Sequence, residues 1–408
     1  MHIIILRKDT INYYYDKGVQ NNNDIIIAGA GLSGLMAAKS ASGNGLSVKV
    51  LEEDQEVGLP EKCDGLVSVQ GLKELGINPS NRTIQAKIKK AILHSPNGTD
   101  IHIDASKKDI IVVDRSEFDV SIAKDVTLND GVIELGNRIL SYKESETGIE
   151  VKSKNGNYKC KVFIDGTGIS YLASKRKSGL LQAAKYIVSG KDISEDTVEL
   201  FFNQEVTPGF FVWLIPAGDG LAKLGCGGNI INGFSVLDKH LEKMKLKPVR
   251  KMASSIYVGG PLEKFVNNEI MLVGDAAGQT KPTTAGGIYS GGMGGLIAGK
   301  TAVQYLKDNK NSKILHNYEK QWKDMFQRDF ELTRISRNLF ERLDNKAIDK
   351  VFSLILKKGI DNDISNEGEF DFHSSVLKKI FVSKDTVDLL GTVAGSEMRR
   401  MTKILRRK

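Results

Sequence analysis

Apolar residues in this chain fall into two kinds of run. Short β-branched blocks at 25–27, 110–113 and 270–273, each closed by a glycine or an acid, have the pattern of strands buried on both faces. The first is followed by a glycine turn at 29–34, an Ala-, Leu- and Met-rich stretch at 35–41 that suits a helix ending at Gly43–Gly45, and a second strand at 46–51 closed by Glu52. This is a complete βαβ unit. Alternating positions predict further strands at 87–103, 133–139, 148–153 and 158–164, and an antiparallel set at 197–202, 209–215 and 221–225. A basic stretch at 239–251 is predicted to be helical, and beyond Thr301 the chain reads as charged helix. Ser116 is the expected cap of a helix running to Ala123.

The βαβ unit carries its own chemistry. Gly29 permits the tight turn out of the strand, Gly31 lets a phosphate approach the backbone, and Gly34 lets the helix pack on the sheet. Glu52, roughly 20 residues past the glycines, stands where a ribose hydroxyl pair is gripped. The context marks dinucleotide binding. A second glycine–acid turn, Gly274-Asp275, follows a buried strand late in the chain and implies a nucleotide domain that is discontinuous in sequence. The fold class is therefore α/β: a Rossmann-type domain over 24–180 and 265–305, an antiparallel-sheet substrate domain over 181–264, and a helical region over 306–408. Residues 1–23 read as an extension ahead of the first strand.

Gly287, Gly291, Gly295 and Gly299 recur at the spacing of one helix face. Each costs about 1 kcal/mol against alanine, about 4 kcal/mol in sum, so something must require close approach there. Packing on the first helix or on a cofactor meets that need. Arg115, between strand and helix, can either reach a cofactor or form a structural ion pair. Cys63 lies in a Gly- and Pro-containing loop, where a packing role and a site role are both open.

Composition narrows the setting. The 408 residues, 40% hydrophobic and 26% charged, suit a large folded core rather than disorder. Three widely spaced cysteines argue against a disulfide framework and a zinc cluster, which fits a cytoplasmic setting and no metal. No stretch has the roughly 18 apolar residues of a membrane span. The net charge of +8 is concentrated near the C-terminus, where Met398, Met401 and Leu405 fall at helical spacing among Arg399, Arg400, Lys403, Arg406 and Arg407. That segment suits either a peripheral contact with an anionic membrane surface or a solvated charged tail capping the last helix; nucleic acid is not an expected partner.

Together, the glycine turn with Glu52, the segment Asp114-Arg115-Ser-Glu-Phe-Asp119, Asp165-Gly166 and Gly274-Asp275 resemble the glutathione-reductase-like flavoproteins of the aromatic-hydroxylase branch. Within it, Pro60-Glu-Lys-Cys63-Asp-Gly65, Phe211-Val-Trp213-Leu-Ile-Pro216 and Pro282 to Ile288 resemble motifs of the geranylgeranyl reductase family, with Phe211 and Ile215 departing from its usual aromatics. The resemblance covers about 24–307. It implies FAD held by Gly34, Glu52, Lys62, Cys63, Gly65, Arg115, Asp275, Gly287 and Ile288, with Ile139 contributing from a neighbouring strand, and an apolar substrate wall at Phe211, Trp213 and Pro216. The implied reaction is saturation of C=C bonds in polyprenyl lipids, with reducing equivalents from an external donor, NAD(P)H or a ferredoxin-type protein. Cys63 is the catalytic candidate. The alternatives are a flavin monooxygenase on the same fold and a non-catalytic, lipid-binding flavoprotein that carries electrons.

Overall fold

The structure, a computed structural model, describes residues 21–171, 178–308 and 311–377. The basic segment at 398–407 lies outside them, as does most of the N-terminal extension.

Strand β1 (Asn21–Ala28) is the centre of the first sheet and starts four residues ahead of the expected block at 25–27. It runs parallel to β2 (Val48–Leu51) on one edge and to β11 (Asn157–Asp165) on the other. The sheet continues through β8 (Val132–Glu134) beyond β2, and through β18 (Ile270–Leu272) and the antiparallel β17 (Val266–Asn267) beyond β11. Such a strand has no solvent face, and Ile25, Ile26 and Ile27 are fully buried. A hairpin of β9 (Ile139–Ser145) and β10 (Gly148–Ser153) pairs with the first half of β11. The expected single strand at 133–139 is thus two, because the chain turns at Gly136 with φ +65°. β18 joins the sheet long after β1 in sequence, as the late glycine–acid turn implied.

The second sheet has the order β16 (Lys247–Tyr257), β12 (Leu180–Ser189), β15 (Leu221–Gly228), β14 (Phe211–Pro216), β13 (Thr197–Phe202), β5 (Lys90–His94), β6 (Asp100–Asp104). It reaches beyond residues 181–264 by taking in β5 and β6, which the alternation at 87–103 merged into one strand. The turn that separates them has Gly98 at φ +86°. A small third sheet holds β3 (Leu66–Ser68), β7 (Ile110–Val113) and β4 (Ile84–Ile88).

Helix α1 (Leu32–Ala41) follows β1, α2 (Val69–Glu74) follows β3, and α3 (Arg115–Leu128) follows β7. The cap of α3 is Asp114, whose carboxylate accepts from the Ser116 and Glu117 amides at 2.9 and 3.3 Å, and not Ser116. In the basic stretch, α4 (Gly233–Met244) ends at a left-handed Lys245 and the rest becomes the edge strand β16, not helix. Lysines suit a sheet edge as well as a solvated helix, so charge did not separate the two. The long α5 (Ile288–Lys307) packs on α1, and α6 (Lys313–Phe340) packs on α5 through Tyr318, Trp322, Phe326 and Phe330, all at most 1% exposed. Helices α7 (Asn345–Lys357) and α8 (Ile360–Glu367) close the second sheet near β6.

Candidate functional site

One cavity of ≈ 1370 Å³ runs from the glycine turn after β1 to the C-terminal helices. That exceeds the roughly 300–1,000 Å³ of an ordinary small-molecule pocket and leaves room for a dinucleotide and a second, apolar ligand.

At its first end the turn is shaped for an anion. Gly29 takes φ +89°, and a Cβ there would lie 2.7 Å from the Gly166 carbonyl oxygen. A Cβ on Gly34 would lie 2.0 Å from the Gly29 carbonyl oxygen, so Gly34 seats α1 on the strand and does not line the cavity. Gly31 faces open space, with nothing within 4 Å of a Cβ. It is also the N-cap of α1, and no side chain caps that helix. The same holds for Gly287 at the start of α5. Two helices therefore begin at the cavity with no side chain on their first amides, the arrangement that receives phosphate or a carbonyl bearing negative charge. Glu52 is 8% exposed, accepting from the Ala30 amide and from Asp54 N–H at 2.9 Å. Burial raises its pKa against the pull of those amides. Asp275 lines the cavity, and burial raises its pKa against the nearby Arg115.

These groups fit FAD: a cradle without side chains, uncapped helix starts and a carboxylate beside the turn. Ile139 and Ile288 line the same space. Arg115 forms the ion pair that was one of its two expected roles, with Asp119 oxygens 2.8 and 3.0 Å from its guanidinium, while also lining the cavity. Burial pulls its pKa down, but Asp119 and Cys63 outweigh that and hold it above the ordinary value.

The loop 60–65 forms the middle of the cavity. Lys62, Cys63 and Gly65 all line it, and Cys63 is exposed to it whereas Cys160 and Cys226 are buried. Gly65 takes φ +80°, and a Cβ there would meet the Val113 carbonyl oxygen at 2.0 Å, so the loop can press on β7 only with glycine. The loop is held by two lysines that sequence reasoning missed, one of which, Lys185, itself lines the cavity. Lys185 is 5% exposed and lies 2.9 Å from Asp64 Oδ1, donating also to the Glu61 carbonyl at 2.8 Å. Lys223 is 1% exposed and donates to Glu61 Oε1 at 2.7 Å and to the Asp64 carbonyl at 3.0 Å. The available signal was a lysine inside each of two largely apolar strands.

Lys185, Gly225 and Trp213 sit directly opposite one another on β12, β15 and β14. A Cβ on Gly225 would come within 2.4 Å of the Trp213 ring. The missing side chain lets the indole lie across the sheet, where its Nε1–H donates to Asp64 Oδ2 at 2.7 Å. Trp213 is thus more than the apolar wall expected of it.

The far arm is largely apolar, bounded by Leu200, Phe202, Phe210 and Phe211 on one side and by Leu339 and Ile364 on the helices, with the Arg337 guanidinium 5.3 Å from the centre of the Phe210 ring. Pro216 is buried but does not line it. Beside the start of α5 lies a polar corner, also unanticipated. Lys281 donates to the Phe370 carbonyl at 2.8 Å, and His373 bridges Thr283 Oγ1 at 3.0 Å and the Phe370 carbonyl at 3.1 Å. Burial lowers the Lys281 pKa; burial and Lys281 together push His373 down to about 3.

A family model of FAD dependent oxidoreductases matches residues 24–178. The chain is 27% identical over 365 residues to digeranylgeranylglycerophospholipid reductase 2 of Methanopyrus kandleri, covering 83% of this chain and 91% of that one. It is 29% identical to the digeranylgeranylglycerophospholipid reductase of Methanosarcina acetivorans over 355 residues, covering 80% and 87%. Among solved structures, a geranylgeranyl bacteriochlorophyll reductase-like protein from Thermoplasma acidophilum superposes with a TM-score of 0.80 at 20% identity, over 94% of this chain and 99% of that one. The flavin-dependent brominase Bmp2 shares the fold, with a TM-score of 0.65 at 15% identity over 95% of this chain and all of its own.

Proposed function

We infer that this chain is an FAD-dependent reductase that saturates C=C bonds of geranylgeranyl chains in archaeal-type ether lipids. The observation that carries the reading is the continuity of one cavity, from a dinucleotide cradle past an exposed thiol into an arm lined by aliphatic and aromatic side chains. Its similarity to the digeranylgeranylglycerophospholipid reductases over most of the chain supports the same reading.

FAD, when bound, supplies the hydride chemistry that an isolated alkene demands. The chain supplies the rest. The start of α1 with Gly31 would hold the pyrophosphate, Glu52 the adenosine ribose, and Asp275 the ribityl side. The uncapped start of α5 at Gly287 would offer its positive end to the flavin, favouring negative charge there. An unactivated alkene offers no polar handle, so rate comes from holding it against the flavin and excluding water, the work of Phe211, Trp213 and the apolar arm. Cys63 stands at the junction, as the group positioning substrate or supplying the proton.

The reducing equivalents come from an external donor, and the substrate from a bilayer. Among the described residues no helix is long and apolar enough to cross a membrane, so this reading includes a peripheral contact. The test is mass spectrometry of a geranylgeranylated glycerophospholipid after incubation with dithionite-reduced protein. A gain of two hydrogens per bond is expected; an unchanged mass or a gain of oxygen rejects the reading.

A further inference from the structure

The second sheet carries a pair of buried lysines beneath the Cys63 loop, of which Lys185 also lines the cavity and Lys223 does not. Lys185 is directly opposite Gly225 on the neighbouring strand, and Lys223 is two residues from Gly225, so the two ammonium groups emerge diagonally from one face of the sheet. Both converge on the loop 61–64, Lys185 on all four of its residues and Lys223 on the two at its ends. Lys185 reaches the Glu61 carbonyl at 2.8 Å, the Lys62 and Cys63 carbonyls at 3.5 Å and the Asp64 carboxylate at 2.9 Å. Lys223 reaches the Glu61 carboxylate at 2.7 Å and the Asp64 carbonyl at 3.0 Å.

Burying two cations is costly, and apolar residues in their place stabilise a sheet at least as well. Stability alone does not account for lysine at both positions. What the pair does that apolar side chains cannot is bind backbone carbonyls on either side of Cys63, together with the carboxylates flanking it. We propose that Lys185 and Lys223 are positioning residues: they fix the height and direction of the Cys63 loop over the cavity, and so the distance between the thiol and the bound alkene. Through Asp64 the same clamp also orients the Trp213 indole, coupling the loop to the substrate wall. The consequence for turnover rests on the reductase reading; the clamp itself does not.

The experiment pairs hydrogen exchange with half-reaction kinetics, both on the full-length, FAD-loaded protein. Lys185→Met and Lys223→Met are each expected to speed amide exchange in the 61–66 peptide by about tenfold, the rest of the map unchanged, since a ligated loop opens more readily once its tether is cut. Alkene-dependent reoxidation of the reduced flavin is expected to lose about tenfold in its limiting rate with little change in half-saturation, and dithionite reduction to stay unchanged. Lys185→Arg keeps the charge, and so the fold, if either methionine variant fails to fold. Its planar guanidinium cannot meet the same carbonyls, so intermediate exchange and an intermediate rate are expected. Exchange at the wild-type rate in all variants that fold overturns the clamp. Faster exchange with undiminished reoxidation overturns the positioning role. If the wild-type protein shows no alkene-dependent reoxidation, the reductase reading fails, and loop exchange still decides the clamp.

Discussion

A Cβ on Gly295 would lie 2.0 Å from the Ser33 carbonyl oxygen, so α5 and α1 meet backbone to backbone. Gly299 repeats the contact one turn on, where a Cβ would lie 2.2 Å from the Ala37 carbonyl oxygen. The two helices start at the cavity, one at the anion cradle and the other beside Asp275. Their close approach therefore holds both ends of the nucleotide site in one frame.

Gly295→Ala tests that frame. Alanine recovers about 1 kcal/mol of helix propensity, but a backbone carbonyl cannot step aside as a flexible side chain can, and overpacking costs about 1–3 kcal/mol. A lower Tm and reduced FAD occupancy are expected together. Gly156→Ala, at a site with nothing within 4 Å of the new Cβ, is the matched control and should change neither. Unaltered melting of Gly295→Ala would remove the contact from the account.

The glycine stripe was legible because its cost demands an explanation, and the βαβ unit because strand, turn, helix and acid occur in a fixed order. The cross-strand row Lys185–Gly225–Trp213 was not. Its members lie on three strands, and only register brings them opposite one another. The same limit explains β5 and β6: local alternation shows a strand but not which sheet takes it. The polar corner at Lys281 and His373 escaped because it joins the turn before α5 to a segment after α8, and the motif at 282–288 does not show what that turn meets. Arg115 shows the converse case, in which both roles weighed from the sequence are compatible with one position.

Glu52→Lys should deplete bound FAD by at least about tenfold, since it replaces a ribose acceptor with a cation and leaves the Ala30 and Asp54 amides facing it. The flavin-to-protein absorbance ratio after gel filtration measures this. Full occupancy would dissociate Glu52 from the ribose.

Gly225→Ala places a methyl group within 2.4 Å of the Trp213 ring. The indole must swing off the sheet and give up its hydrogen bond to Asp64. FAD should remain bound, while alkene-dependent reoxidation falls by about tenfold, the size of effect expected when a substrate-positioning group moves by an ångström or so. A variant as fast as wild type would show that the indole does not bear on the alkene.

Cys63→Ala should keep FAD and slow alkene-dependent reoxidation, because the loop remains tethered by Lys185 and Lys223 while the thiol is lost. Cys63→Ser restores a proton-bearing group of similar shape. Recovery by serine but not alanine would identify a proton or hydrogen-bond role; equal, wild-type rates for both would return Cys63 to packing.

The last prediction concerns acid. His373 in its neutral form donates from one ring nitrogen to the Phe370 carbonyl and accepts from the Thr283 hydroxyl through the other. Burial, reinforced by Lys281, holds its folded pKa at about 3 against 6.5 for the free side chain. A depressed folded pKa means that the unfolded chain takes up the proton first. The stabilising contribution is therefore complete above about pH 6.5 and is lost progressively as pH falls from there toward 3. Between pH 7 and pH 5 this one group should cost about 1–2 kcal/mol of stability. His373→Gln, which offers one donor and one acceptor but does not titrate, should flatten that part of the Tm-against-pH curve while leaving the midpoint at pH 7 slightly lower. An identical acid limb in both proteins would locate the titrating group elsewhere.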